Sequence, residues 1–164
     1  MPNWWPFKQK DDPQTLYAAA KETIWSEFDA QQARGVSRQA VLQQIEQQTA
    51  VLMDQQAQTP DVRAKLQVLE DYDAILRPQV MQNLSQGKAH EIAGRVDEAV
   101  VCFETAVTDQ VTTRFPFEHL RVIYVRRKEY AEALRICQAA VTNPHLSARD
   151  HEHFQKWIDK LTAV

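Results

Sequence analysis

The chain has 164 residues, of which 44% are hydrophobic and 25% charged, with a formal net charge of -3. This is enough chain for one domain with a real core, and its mild acidity gives no global attraction for nucleic acid or anionic lipid. Two cysteines, Cys102 and Cys137, are too few for a disulfide framework; no apolar run approaches the roughly 20 residues of a membrane span, and the start lacks a signal-peptide pattern, so a cytoplasmic protein is expected.

Three glycines and seven prolines leave few interruptions, and abundant Ala, Gln, Leu, Glu and Arg favour helix. Only Arg121-Val122-Ile123-Tyr124-Val125 reads as strand-like. Residues 1–12, which include Trp4-Trp5-Pro6-Phe7, are expected to form a flexible aromatic segment. Residues 13–77 form a helical region and residues 78–164 a second one.

The first helix is predicted to start at Asp12-Pro13, with the aspartate as N-cap and the proline at the first helical position. Leu16, Ala20, Ile24 and Phe28 make its apolar stripe, flanked by Tyr17 and Trp25, and Gly35 ends it. Ser37 is placed to cap a second helix. Val41, Leu42, Ile45, Leu52 and Met53 form its apolar face, and glutamines from Gln43 to Gln56 its solvated one. Thr59-Pro60-Asp61 repeats the cap-then-proline device, after which Val62, Leu66, Leu69, Tyr72 and Leu76 line one side of a third helix. Pro78 is expected to end that helix and open the next.

Beyond Pro78 the sequence matches itself at an offset of 34 residues. His90 maps to Tyr124, Val96 to Tyr130, Glu98 to Glu132, Ala99 to Ala133, Phe103 to Cys137, Ala106 to Ala140 and Val107 to Val141. The second unit reads Phe117, Leu120, Tyr124, Tyr130, Ala133, Cys137, Ala140 and Pro144; the first reads Gly87, Gly94-Arg95-Val96, Ala99, Phe103 and Ala106. With this period and these residue types the region resembles the tetratricopeptide repeat family over roughly residues 80–160. Asn83 and His90 depart from the family's aromatics, and Arg121 and Lys128 from its glycines. One more step maps Leu120 to Phe154 and Tyr124 to Ile158. Ser147 and Asp150 have capping-box spacing, so the last segment reads as a terminal capping helix.

The resemblance implies an all-α fold, in which antiparallel helical hairpins stack as a short right-handed solenoid preceded by about three N-terminal helices. Small residues such as Ala99 and Ala133 stand where paired helices approach most closely. It also implies a protein- or peptide-binding module, adaptor or chaperone-like, whose first helices line a concave groove. The groove residues would be Met81, Leu84, Lys88, Glu91 and Ile92 from the first unit and Phe115, Glu118, Val122, Val125 and Arg126 from the second. Glu152, Lys156 and Asp159 would follow in the third. Leu84 and Val122 stand where the polar residues of a carboxylate clamp belong, so an amphipathic segment suits the groove better. The rival expectation is a self-associating structural subunit whose groove is filled by its own N-terminal helices.

No enzyme, cofactor or metal is expected. His145, His151 and His153 cluster, but residues two apart on a helix point in different directions, whereas a zinc helix needs histidines four apart. Cys102 and His90 share a repeat without any oxyanion device and read as packing residues. Arg121, Arg126, Arg127 and Lys128 read as a solvated basic patch at a helix end.

Overall fold

A computed structural model describes residues 12–163, so the segment containing Trp4-Trp5-Pro6-Phe7 lies outside the described residues. Seven α-helices and no strand occur among the described residues: α1 (Pro13–Ala33), α2 (Arg38–Met53), α3 (Pro60–Ile92), α4 (Val96–Thr108), α5 (Phe115–Arg126), α6 (Tyr130–Thr142) and α7 (Ala148–Thr162). The strand-like stretch at Arg121 is part of α5. The chain divides into two compact units, one of residues 12–36 and 40–77 and the other of 37–39 and 78–163.

In the first unit the local signals act as read. Asp12 accepts a hydrogen bond from the Thr15 backbone N–H at 3.0 Å, with Pro13 following it. Gly35 takes φ +90°, a left-handed conformation open to glycine at no steric cost. Thr59 Oγ1 accepts from the Val62 N–H at 3.3 Å at the start of α3.

Phe28, Leu42, Ile45, Val68, Leu69 and Tyr72 form the core of this unit. Tyr72 lies 5.3 Å from the Trp25 ring and 5.1 Å from that of Phe28. It donates its hydroxyl hydrogen to Asp29 at 2.7 Å and accepts from Gln32 at 2.8 Å. A buried phenol needs such partners. Burial and the Asp29 carboxylate together hold its pKa above the usual tyrosine range. Gln31 and Gln44 exchange amide hydrogen bonds at 2.7 and 3.1 Å, so part of the glutamine face joins α1 to α2 rather than facing water.

Two expectations need correction. Met53 is 66% exposed instead of contributing to the core. Pro78 does not end a helix: α3 runs unbroken through it. A proline inside a helix removes one hydrogen bond to the carbonyl four residues back. Here that carbonyl belongs to Ala74, and both Ala74 and Pro78 are exposed, so water can satisfy the freed acceptor.

The second unit repeats in its backbone. From Ile92 to Arg126, from Val96 to Tyr130 and from Thr108 to Thr142, helix ends recur 34 residues apart. The connection between paired helices recurs as well. Arg95 N–H bonds His90 O at 2.9 Å, and Glu129 N–H bonds Tyr124 O at 2.9 Å; Gly94 and Lys128 both take left-handed φ, +74° and +62°. Lys128 adopts the turn that glycine makes in the preceding hairpin, at a steric cost of about 1 kcal/mol.

Ala99 and Ala133, Phe103 and Cys137, and Ala106 and Ala140 are each fully buried pairs. The polar caps correspond too: Asp109 and Asn143 follow their helices at the same offset and are both buried. α5 packs on α4 and α6, and α6 on α7. Ser147 accepts from the Asp150 N–H at 3.2 Å at the start of α7, whose Phe154 is fully buried. Because Ala99 and Ala133 are fully buried, Ala99→Leu or Ala133→Leu is expected to cost about 2 kcal/mol by overpacking. Thermal melts of both variants check this.

Candidate functional site

The expected groove residues fall on helix faces as 3.6-residue periodicity requires. Met81, Leu84, Lys88 and Glu91 share one side of residues 78–92 of α3, and Phe115, Glu118, Val122 and Val125 share one side of α5. None of the ten is buried. Met81 and Ile92 are 56% and 79% exposed; Lys88 and Arg126 are exposed, and the other six are half-buried.

Two histidines bring the helices of this face together. His119 Nδ1 lies 2.6 Å from Glu91 Oε2, joining α5 to α3, and His153 Nε2 lies 2.9 Å from Glu118 Oε2, joining α7 to α5. His119 and His153 are 34 residues apart, so each reaches back to a carboxylate on the preceding helix of the face. Phe115 stacks on His119 with ring centroids 4.1 Å apart, and Phe103 closes against both rings from α4.

Arg121 is not part of a solvated patch. It is 6% exposed, its guanidinium pairs with Glu118, and it lies 3.7 Å above the Trp157 ring. Burial raises the Glu118 pKa, but the bonds from Arg121 and His153 outweigh it and hold the carboxyl below its usual range. Arg127 of the same stretch pairs with Asp97 at 2.6 Å.

Glu91 and Glu118, the carboxylates of this face on α3 and α5, are therefore spent on internal partners. Lys88 and Arg126 make no ion pair among the described residues. His119, Arg121, His153 and Trp157 did not figure among the expected residues, although the offset of 34 between the two histidines was legible.

The histidines and the buried cysteine have the following surroundings. His151 Nε2 lies 2.8 Å from the Asn143 carbonyl oxygen, while His153 turns to Glu118. No group of three or more His, Cys, Asp or Glu able to hold a metal occurs among the described residues. His90 accepts from Arg95 Nε at 2.9 Å. Cys137 is buried and its thiol pKa is pushed up to about 11 by burial, so it is inert at neutral pH. No helix among the described residues is long and apolar enough to cross a membrane.

Comparison with protein-family models, with curated proteins and with solved structures finds no match.

The first unit carries a separate open cavity of about 670 Å³ between α2 and residues 60–77 of α3. Ile45, Thr49, Met53 and Leu66 line its apolar part, and Glu46, Gln58, Glu70, Asp73 and Arg77 its polar margin.

Proposed function

We propose that the second unit is a tetratricopeptide-like protein-binding module that takes an amphipathic segment of a partner protein along the face formed by residues 78–92, α5 and α7. What carries this reading is the helix pair repeated at an offset of 34, which leaves the same face of each first helix unburied. Leu84, Phe115, Val122 and Val125 offer apolar contact, the requirement for seating an amphipathic helix in a groove. The internal pairing of Glu91 and Glu118 leaves Lys88 and Arg126 as the open charges of residues 78–92 and α5, which favours an acidic group on the part of the bound segment that lies there. In this reading the protein is an adaptor or chaperone-like scaffold, needs no cofactor and catalyses nothing.

Affinity capture from the native host with the full chain, followed by mass spectrometry, tests this. Leu84→Asp combined with Val122→Asp is expected to abolish enrichment of the partner with the thermal melt preserved. Lys88→Glu combined with Arg126→Glu, at exposed positions that hold no ion pair among the described residues, is expected to weaken it at least tenfold, or about 1.4 kcal/mol. Equal enrichment by wild type and both variants would remove the site from this face. Light scattering on the purified chain separates a foreign partner from a second copy.

A further inference from the structure

The cavity of the first unit has a charge imbalance. Arg77 donates to Asp73 at 2.7 and 3.0 Å and to Glu46 at 3.0 Å, so one guanidinium serves two carboxylates. Glu70 makes no ion pair among the described residues. The wall is thus net negative over an apolar floor that includes the 66%-exposed Met53. A volume of about 670 Å³ is within the range that holds several apolar groups. An occupant matched to it has bulky apolar groups and positive charge.

The chain itself carries such a segment. Trp4-Trp5-Pro6-Phe7 is followed by Lys8-Gln9-Lys10, which joins aromatic area to two cations, with Asp11 and Asp12 between them and α1. Its attachment point is at the right end of the unit. Leu16 and Ala20, in the first turns of α1 after Asp12, line a shallow groove with Asp61 and Lys65 at the start of α3. Leu66, next in the chain, opens into the cavity, and Gln58 borders it just before α3. Phe7 stands five positions before Asp12 and Trp4 eight, a reach of about 17 to 27 Å. The helix to be rounded is about 10–12 Å across.

We infer that residues 4–10 of this chain dock into the acid-walled cavity between α2 and α3, with aromatic side chains on the Ile45–Met53–Leu66 floor and lysines toward Glu70. Tethering makes the docking intramolecular, at an effective concentration of about millimolar, so modest intrinsic affinity suffices. This inference is independent of the binding face on the second unit.

Methyl NMR of the full chain with labelled methionines reads both places at once, because Met53 lines the cavity and Met81 lies on the face of the second unit. In the wild type the Met53 methyl is expected to be displaced upfield by the docked rings. Trp4→Ala combined with Trp5→Ala returns it to an undisplaced position. Glu70→Lys, at an exposed residue without an ion pair among the described residues, does the same with both tryptophans present. Met81 stays unmoved throughout. A Met53 signal identical in all three proteins would overturn the inference, as would a shift at Met81 in its place. A Met53 displacement that disappears on dilution would assign the occupant to a second copy and overturn intramolecular docking.

Discussion

Arg38→Ala is expected to lower the unfolding free energy of the second unit by about 3 kcal/mol, because it strands a buried carboxylate. Asp109 is 4% exposed and follows α4, where Arg38 grips it with two bonds, Nε to Oδ1 at 2.6 Å and Nη2 to Oδ2 at 2.7 Å. The Gln39 N–H adds a bond to the Asp109 carbonyl at 3.2 Å. The Asp109 bond holds the Arg38 pKa above its ordinary value, with burial opposing it, so the guanidinium stays charged throughout the accessible pH range. The loss corresponds to a fall in Tm of about 6–12 °C for a chain of this size. The next repeat uses a neutral device at the same place. Asn143 is fully buried, donates to the Val111 carbonyl at 3.0 Å and accepts from the His145 N–H at 2.9 Å. Asp109→Asn combined with Arg38→Met is therefore expected to be far less damaging than Arg38→Ala alone. Equal losses in urea melts would show that the charge pair does not carry the stabilisation.

Gly87→Leu is expected to cost about 3 kcal/mol, by overpacking against a fixed ring. A Cβ at Gly87 would lie 2.5 Å from Phe103 Cε1 and 2.7 Å from Cδ1, and Phe103 is fully buried. No turn requires this glycine, which sits within α3. It is there because the Phe103 ring occupies the space a side chain would take. One repeat later the sizes are exchanged: Arg121 stands where Gly87 does, and Cys137 where Phe103 does. The small thiol leaves room for the buried guanidinium that pairs with Glu118 and covers Trp157. Phe103→Cys in the Gly87→Leu background should thus recover stability relative to the sum of the single losses, a coupling of about 1–3 kcal/mol. Additive losses would mean the two positions do not share one space.

Local and periodic signals were legible in the residues. Asp12-Pro13, Gly35, Thr59-Pro60 and Ser147 act where capping chemistry places them, since a cap depends on neighbours within one turn. The Ala99–Ala133 and Phe103–Cys137 equivalences were legible because a repeat prints its packing twice. Pairings distant in sequence were not. Nothing in the neighbourhood of Arg38 or Asp109 announces a partner 71 residues away, and Arg121, grouped with the cations Arg126, Arg127 and Lys128, reads as solvated until Trp157 and Glu118 are seen around it. Pro78 misled because a local helix-breaking rule takes no account of whether the freed carbonyl meets water. On the candidate face, spacing identified which residues share a side of each helix. The histidine bridges to Glu91 and Glu118, which decide the charge left for a partner, needed the third dimension.

Hydrogen exchange of the full chain, alone and with its captured partner bound, reports most directly on whether the unburied face of the repeated hairpins is where the protein works. Added protection should fall on residues 81–92 and on α5, with α4 and α6 unchanged. Protection gained on α4 and α6 while α5 exchanges as before would contradict the account.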